Sequence, residues 1–169
     1  THHIGRILIH PGNPDIVYVA ALGRLWGPNK ERGFFKTSDG GKTWKQVLFV
    51  NEDTGIVDAA MDPASPDTLY ATAYQRRRTV FGFAGSGPDG GIHKSTDGGS
   101  TWVQKVAGLS GGSPWVGVLT MDPNAPDTLF VGTSLVFRTT DGCATAWTAS
   151  SQTLVGNVSS LASTSSCST

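Results

Sequence analysis

Carboxylate side chains that could carry out acid–base chemistry are few in this sequence outside its repeated turns. Cleavage of a glycosidic bond, for example, needs two carboxyl groups that face each other across the substrate, about 5 to 9.5 Å apart. The acidic residues to consider are Glu31, Glu52, Asp53, Asp89 and, on a nearby strand, Asp58. Glu52 and Asp53 are adjacent in the phrase "VNEDTG", which favours a role in forming a turn. No opposed pair is evident, and we predict no catalytic residue in this chain.

Aromatic and cationic side chains are grouped in two long segments, residues 22–33 and 74–91. Aromatic rings interleaved with guanidinium groups can stack on sugar rings or bind carboxylates and phosphates. An alternative is that the rings hold long loops in place while the arginines are solvated. The candidate binding residues are Arg24, Trp26, Lys30, Arg32, Tyr74, Arg76, Arg77, Arg78, Phe81 and Phe83.

The overall charge and composition exclude some classes of partner. Lys and Arg total 13, and Asp and Glu total 13, so the formal net charge is zero. Such a chain has no general attraction to nucleic acid or to an anionic membrane surface. No apolar run approaches the roughly 20 residues of a membrane span. The many Ser, Thr and Gly residues and the low Lys content favour an exported protein, either secreted, periplasmic or at the cell surface.

Histidine and cysteine residues show no metal-binding spacing. Three of the four histidines, His2, His3 and His10, lie near the start of the sequence and the fourth is His93, while Cys143 and Cys167 do not form a C-x-x-C motif. A single disulfide between the two cysteines is an open alternative. We therefore expect neither a metal ion nor another cofactor.

The positions of these candidate residues depend on a repeat that runs through the sequence. The signature "KTSDGGKTW" (36–44) returns as "KSTDGGSTW" (94–102) and, altered, as "RTTDGCATAW" (138–147). A second phrase precedes each copy: "IHPGNPDIVYVAA", "MDPASPDTLYATA" and "MDPNAPDTLFVGT". The first prolines of these phrases, Pro11, Pro63 and Pro123, are 52 and 60 positions apart. A period of this length accommodates a four-stranded unit.

Each repeat is predicted to form four antiparallel strands. One strand precedes the Pro-Asp turn, one follows it, and two flank the Asp-Gly signature, with alternating and β-branched residues typical of strands. The fold class is therefore all-β, a β-propeller of four-stranded blades. Blade 1 covers about 4–50, blade 2 about 55–107 and blade 3 about 115–150, and the first strand of a fourth blade covers about 155–163. Three blades leave sheet faces uncovered, which indicates a fragment of a larger propeller or an arc completed by another chain.

The Asp-Gly signature is predicted to be a structural hairpin. Its Asp accepts hydrogen bonds within the turn, its glycines adopt positive φ, and its Trp packs between blades. In the third copy Cys143 replaces the second glycine and one extra residue precedes the Trp, which predicts a loosened hairpin. The residues assigned to this structural role are Asp39, Gly40, Gly41, Trp44, Asp97, Gly98, Gly99, Trp102, Asp141, Gly142 and Trp147.

The signature resembles the Asp box, also called the BNR repeat. Asp boxes occur in sialidases, family-74 xyloglucanases, sortilin-type receptors and a photosystem II assembly factor, so this resemblance implies a propeller rather than an activity. Over about residues 4–107, the phrases "ALGRLWGPNKERGFFKTSDGGKTW" and "ATAYQRRRTVFGF" resemble bacterial sortilin-like and xyloglucanase-like propeller proteins. The catalytic Asp of the xyloglucanases, near a "TDVGG"-like phrase, has no counterpart here. The arginine triad of the sialidases does not appear either.

One further pair follows from alignment of the repeats at their prolines. Arg6, Asp58 and Val118 then occupy equivalent positions on the innermost strands, which line the central channel of a propeller. Arg6 and Asp58 are expected to be neighbours on adjacent blades. Their role is either a partly buried ion pair or a polar site on the channel floor.

Two hypotheses for function follow. The first is a non-catalytic binding or scaffold module outside the cytoplasm, which recognises protein or glycan through the loops opposite the Asp-Gly signatures. The alternative is a fragment of a xyloglucanase-like glycoside hydrolase whose catalytic acids lie largely outside this chain. A third possibility, assembly around a membrane complex, depends on the Arg-rich loop alone. In each case the rest of the propeller, or another chain, is an expected partner.

Overall fold

The computed structural model describes residues 1–109, 117–150 and 161. In this part of the chain all regular structure is β, and the strands form three antiparallel sheets of four strands and one two-stranded hairpin. The described residues include no helix that could span a membrane. Most of the strand expected at about 155–163 lies outside the described residues, as does Cys167. Leu161 is described, and its carbonyl oxygen accepts a hydrogen bond from the Thr120 hydroxyl over 3.1 Å.

The four-stranded antiparallel architecture predicted from the repeat is confirmed. The first sheet contains β1 (Ile4–Ile9), β2 (Val17–Ala21), β3 (Gly33–Thr37) and β4 (Lys45–Leu48), in that order. The second begins with β5 (Thr54–Met61) and β6 (Leu69–Gln75), which are followed in the chain by a hairpin of β7 (Arg77–Thr79) and β8 (Gly82–Ala84). It is completed by β9 (Gly91–Ser95) and β10 (Val103–Gln104). The third contains β11 (Val118–Asp122), β12 (Ala125–Gly132), β13 (Val136–Thr139) and β14 (Thr148–Ala149).

The sheets stack face to face, and their faces form two apolar cores. Tyr18 and Phe34 of the first sheet lie in one core with Leu69 of the second. Tyr70 and Ile92 of the second sheet lie in the other core, with residues of the third. Because β6 lies between two neighbouring sheets, six of its seven residues are buried, whereas β1 at one end of the stack is mostly exposed. Packing between sheets, rather than within one, therefore accounts for most of the apolar burial.

The Asp-Gly signature forms a closed network of hydrogen bonds within its own hairpin. Asp39 accepts hydrogen bonds from the Thr37 hydroxyl (2.7 Å), the Thr43 amide (2.9 Å) and the Thr43 hydroxyl (2.6 Å). These donors, the Thr43 hydroxyl most strongly, lower the pKa of Asp39 to about 2. Asp97 and Asp141 make the same contacts and have pKa values of about 2 for the same reason. The carboxylates are thus engaged locally.

The third hairpin tolerates Cys143 where the other two have glycine. Cys143 has a φ of 64°, close to the 88° of Gly41 and the 86° of Gly99. A non-glycine residue in this left-handed region carries backbone strain. Its side chain is buried in the second core, and this burial raises the pKa of the thiol to about 12. Burial thus favours the protonated thiol over the thiolate.

The Pro-Asp turns lie against the Asp-Gly hairpins at the same rim of the sheets. In each repeat the amide of the first signature glycine donates to the carbonyl oxygen of the turn Asp. The pairs are Gly40 with Asp15 (3.1 Å), Gly98 with Asp67 (3.0 Å) and Gly142 with Asp127 (2.9 Å). Both turns of each sheet are therefore on one rim, and the long segments leave from the opposite one.

The three tryptophans of the signatures differ in burial. Trp102 packs edge-on against Phe34 of the first sheet, with ring centroids 5.6 Å apart. Trp147 is 3% exposed, and its indole donates to the Lys105 carbonyl of the second sheet over 3.0 Å. Trp102 and Trp147 thus each contact the sheet before their own. Trp44 is 45% exposed, and no described sheet precedes its own, so a wedge role for Trp44 stays a prediction.

Candidate functional site

The loops of the first and second sheets meet at the rim opposite the Asp-Gly hairpins. The β7–β8 hairpin follows the end of β6, and its first strand pairs with the first long loop. The Arg78 amide donates to the Leu25 carbonyl over 3.0 Å, and the Gly27 amide donates to the Arg78 carbonyl over 3.4 Å. These backbone contacts hold the two long loops together, so that their side chains form one surface.

Trp26, Arg78 and Phe83 form the centre of this surface, which we call the aromatic strip. The Arg78 guanidinium lies 5.8 Å from the centroid of the Trp26 ring and 5.9 Å from that of Phe83. Cation–π attraction at such distances holds exposed side chains in a defined arrangement. Trp26 is 55% exposed and Phe83 is 52% exposed. The strip therefore presents two aromatic rings to solvent with a guanidinium group between them.

A pocket of about 430 Å³ adjoins the aromatic strip. Asp53, Gln75 and Arg77 line it together with the rings of Phe81 and Phe83. Arg77 Nη1 lies 3.0 Å from Asp53 Oδ2. Within the described part of the chain, Asp53 Oδ1, Gln75 Oε1 and Arg77 Nε are buried without a hydrogen-bond partner. Buried polar atoms are normally paired, so these three atoms are exceptions to that rule.

The strip and the pocket together offer the elements of a saccharide site. Aromatic faces pack against the apolar C–H faces of sugar rings, while carboxylate, amide and guanidinium groups exchange hydrogen bonds with hydroxyls. Sites for small polar ligands generally combine an apolar lining with a few placed polar groups. The arrangement can bind and orient a ligand, but it contains no pair of free carboxylates.

Arg32 was expected on the binding surface, and the structure corrects this interpretation. Its side chain is fully buried, and its guanidinium donates to the carbonyl oxygens of Leu22 and Arg24, both over 2.7 Å. Desolvation lowers the pKa of Arg32. The first long loop folds over the Arg32 side chain, whose hydrogen bonds hold the loop in place. Arg32 is therefore not accessible to a ligand.

The other predicted binding residues lie around the strip with different accessibility. Phe81, at the tip of the hairpin, is 97% exposed. Tyr74 is buried, and the Arg76 amide donates to the Asp53 carbonyl over 2.9 Å. Arg24 and Lys30 are exposed at the other end of the first loop, beside a second, polar pocket. Only part of the predicted set therefore converges on one surface.

Each acidic residue considered above has a partner in the structure. The Asp53 carboxylate contacts Arg77, and Glu52 is 4.0 Å from the Lys30 ammonium. The remaining contacts are Glu31 with the N-terminal amine (3.2 Å), Asp89 with the Asn51 amide group (2.9 Å) and Asp58 with Arg6 (2.7 Å). Each of these acids therefore contacts a neighbouring polar or charged group.

Arg6 and Asp58 are brought together as the alignment of the repeats suggested. Asp58 Oδ1 accepts the Arg6 Nε–H, and Asp58 Oδ2 accepts the Leu119 amide over 3.1 Å. Asp58 is buried while Arg6 is about half exposed. The hydrogen bond and the charge of Asp58 raise the pKa of Arg6. The pair joins innermost strands of neighbouring sheets, and the contact to Leu119 extends the link to the third sheet.

Asp53 and Gln75 were not recognised as candidates for a binding surface. Asp53 was interpreted as a turn former and Gln75 was not singled out. The alternation in "RRTVFGFA" could have indicated the β7–β8 hairpin, because two short runs flank a central turn. No local signal shows that the end of β6 brings Gln75 beside Asp53.

Metal-binding clusters are absent from residues 1–109 and 117–150, since no three His, Cys, Asp or Glu side chains are suitably grouped there. His93 lies in β9, on the face towards the first sheet. Burial lowers the pKa of His93, so that the neutral imidazole is favoured.

The chain is similar to xyloglucan-degrading enzymes in sequence and in fold. No family model matches it. A xyloglucanase from Paenibacillus sp. is 29% identical over 128 residues, which cover 69% of this chain and 12% of the enzyme. The GH74 enzyme of Niastella koreensis superposes with a TM-score of 0.64 at 20% identity, over 86% of this chain and 22% of that one. The structure of YCF48 bound to D1 peptide superposes with a TM-score of 0.54 at 16% identity, over 86% of this chain and 39% of that one.

These likenesses concern a minor part of each relative. The chain spans about an eighth of the Paenibacillus xyloglucanase and about a fifth of the Niastella enzyme. At such identities the solved structures inform about architecture alone. The sequence and structural similarities together show that the chain has a xyloglucanase-like β-propeller fold, built from antiparallel four-stranded sheets.

Proposed function

We propose that the chain is a non-catalytic, glycan-binding segment of a larger β-propeller outside the cytoplasm. The observation that carries this proposal is the aromatic strip of Trp26, Arg78 and Phe83 beside a pocket that Asp53, Gln75 and Arg77 line. The ligand class is a neutral oligosaccharide, whose ring faces stack on the two aromatic side chains. Its hydroxyl groups exchange hydrogen bonds with Asp53, Gln75 and Arg77. The sequence similarity to a xyloglucanase supports a polymeric glycan as the ligand.

The Asp-Gly hairpins fit this proposal as structural elements. We infer that they are Asp boxes, as in sortilin-like and xyloglucanase-like propellers. Their carboxylates are engaged by Thr and Ser side chains within the turn, which supports a purely structural role. We propose that this chain contributes three blades. The remaining blades belong to a larger propeller of which it is a fragment, or to another chain.

A second candidate is that the chain forms part of a glycoside hydrolase. The similarity to the Paenibacillus xyloglucanase favours it. The acids on the loop side are held by cations, amide groups or the N-terminus, so the catalytic pair would be supplied by other parts of the propeller. The aromatic strip then positions the substrate.

A peptide ligand is the alternative on the same surface. It is suggested by the likeness to a protein solved with a bound peptide. Phe81 and Val80, the two most exposed large apolar residues in the described part of the chain, project from the hairpin beside the strip and offer an apolar contact for such a ligand.

The test is isothermal titration of the chain with xyloglucan oligosaccharides, alongside a hydrolysis assay on the same sugars. Saturable binding without hydrolysis supports the lead proposal. Hydrolysis by this chain alone contradicts the non-catalytic assignment, since none of its loop carboxylates is free to act in an opposed pair. No heat of binding at millimolar sugar, together with a native unfolding transition, contradicts the glycan proposal and leaves the peptide as the better candidate.

A further inference from the structure

The turn of the β7–β8 hairpin consists of two apolar residues. Thr79 and Gly82 are directly paired, so Val80 and Phe81 are the two residues between the strands. Two-residue turns usually contain Gly, Asn or Asp, because these residues adopt the required backbone angles most easily. Val80 is 82% exposed and Phe81 is 97% exposed. Neither turn chemistry nor packing among the described residues accounts for this pair, which we call the hairpin tip.

The hairpin tip projects from the middle one of the three sheets. The second sheet packs on the first sheet through one apolar core and on the third sheet through the other. The first long loop contacts the base of the hairpin through Leu25 and Gly27. On the third sheet, the matching connection between β12 and β13 is short and contains residues 133–135. Further blades of a propeller would join the stack at its ends, so the sheets on both sides of the hairpin would stay the same.

Arginine residues precede the hairpin tip in the chain. No acidic residue occurs between Arg76 and Pro88. Arg77 is paired with Asp53 over 3.0 Å. Within the described residues, Arg76 and Arg78 make no ion pair, and Arg78 is exposed. The surroundings of the tip are therefore cationic, although the chain as a whole has no net charge.

An apolar tip beside cationic side chains fits the surface of an anionic lipid bilayer. Such a surface buries exposed apolar side chains at the boundary of headgroups and acyl chains, and its negative potential attracts nearby Lys and Arg. A stable protein interface typically needs about 800 Å² from each partner. One aromatic side chain supplies about 150–250 Å². A projecting tip of two residues falls short of that area, whereas a fluid bilayer needs no matching surface.

We propose that the hairpin tip docks this chain on an anionic lipid bilayer. Val80 and Phe81 enter the boundary between headgroups and acyl chains, while Arg76 and Arg78 contact lipid phosphates. Arginine suits this role because its guanidinium can bind two phosphate oxygens at once. Two apolar side chains give a shallow, reversible attachment, so the cations supply a necessary second contribution. This inference concerns where the chain is held and does not depend on glycan binding.

Co-sedimentation of the full 169-residue chain with lipid vesicles tests the proposal. The unmodified chain is expected to bind vesicles of equimolar phosphatidylcholine and phosphatidylglycerol, and to bind pure phosphatidylcholine at least tenfold more weakly. Val80→Asp and Phe81→Asp each replace an apolar group with a repelled charge and should weaken binding at least tenfold. Arg76→Gln should weaken binding about fivefold. Added salt should weaken the binding of the unmodified chain, because it screens the attraction to the lipid headgroups.

Control variants separate docking through the tip from general effects. Phe81→Leu keeps an apolar tip and should bind nearly as the unmodified chain does. Val103→Asp is the matched control, because Val103 is 58% exposed on β10, the outer strand of the same sheet, and it should leave binding unchanged. Val80 and Phe81 lie outside both cores, so their variants should keep the unfolding transition of the unmodified chain. If one tip variant lacks this transition, the other carries the test.

Three results would overturn the proposal. The first is no binding to anionic vesicles at millimolar lipid, which would leave the hairpin tip to the peptide ligand considered above. The second is binding that both Val80→Asp and Phe81→Asp leave unchanged, because attachment would then involve charge elsewhere on the chain. The third is equal weakening by Val103→Asp, because the loss would then not be specific to the tip.

Discussion

Arg6 Nε donates a hydrogen bond to Asp58 Oδ1 over 2.7 Å, and this carboxylate also accepts the Leu119 amide over 3.1 Å. The three residues belong to the innermost strands of three different sheets. Asp58 is therefore a single buried group that connects the whole stack. The Ala59 amide also donates to Asp58 Oδ1, over 2.9 Å, which places three donors on one carboxylate.

Replacing Asp58 is expected to cost more than replacing Arg6. Asp58→Ala leaves buried amides without an acceptor and should lower the free energy of unfolding by about 2–3 kcal/mol. Arg6→Ala should cost about 1 kcal/mol, because Arg6 is half exposed and solvent screens the pair. Urea unfolding measures both values. Equal losses would contradict the assignment of Asp58 as the connecting group.

Gly98→Ala is expected to destabilise the second hairpin. Gly98 has a φ of 65°, and a Cβ atom there would lie 2.9 Å from Asp67 Oδ1. The strain should lower the free energy of unfolding by about 1–3 kcal/mol. Gly82→Ala is the matched control, because Gly82 has no neighbour within 4 Å of the added carbon, and its effect should stay within about 0.5 kcal/mol. If Gly98→Ala left the free energy of unfolding unchanged, a side chain at this position would not strain the turn, and the prediction would be contradicted.

The hydroxyl groups at the two sheet junctions should contribute unequally. Tyr18→Phe removes a hydrogen bond of 3.0 Å to Gly98 and should cost about 1 kcal/mol. Tyr70→Phe removes a longer one, of 3.4 Å to Gly142, and should cost less. Chemical unfolding of both variants under one set of conditions gives the comparison. A larger loss for Tyr70→Phe would reverse the predicted order.

Stability should fall between about pH 4 and pH 2 because of the three signature aspartates. Their pKa values are about 2 in the folded protein, below the ordinary 3.8, so the ionised forms favour the folded state. This contribution is complete above about pH 4 and is lost as the pH falls through about 2. Asp97→Asn removes the contribution of one of the three aspartates to this pH-dependent stability. The difference in thermal midpoint between the unmodified chain and Asp97→Asn should therefore narrow on acidification, and a constant difference would contradict the prediction.

The repeat made the strand order and the turn chemistry predictable from sequence. The spacing of Pro11, Pro63 and Pro123 defined the four-stranded units, and the Asp-Gly phrases defined the hairpins between the last two strands of each. These features depend on local residue preferences, which a sequence displays directly. The alignment of the repeats also predicted the contact of Arg6 with Asp58, because equivalent positions on adjacent sheets are neighbours.

The accessibility of individual side chains could not be predicted in the same way. Arg32 is buried because the first loop folds over it, and Trp44 is exposed because no described sheet lies on its side. The joint surface of Trp26 and Phe83 depends on a contact between loops that are separated by about fifty residues in the chain. Such contacts arise from tertiary packing, which leaves no local pattern in the sequence.

The most direct test of glycan binding is calorimetric titration of a xyloglucan oligosaccharide into the chain and three variants. Trp26→Ala and Phe83→Ala each remove one ring of the aromatic strip and should weaken binding about tenfold, which corresponds to about 1.4 kcal/mol. Phe49→Ala, at another partly exposed aromatic residue, should bind as the unmodified chain does. Unchanged affinity in both Trp26→Ala and Phe83→Ala would show that the sugar is bound elsewhere and would contradict the proposed site.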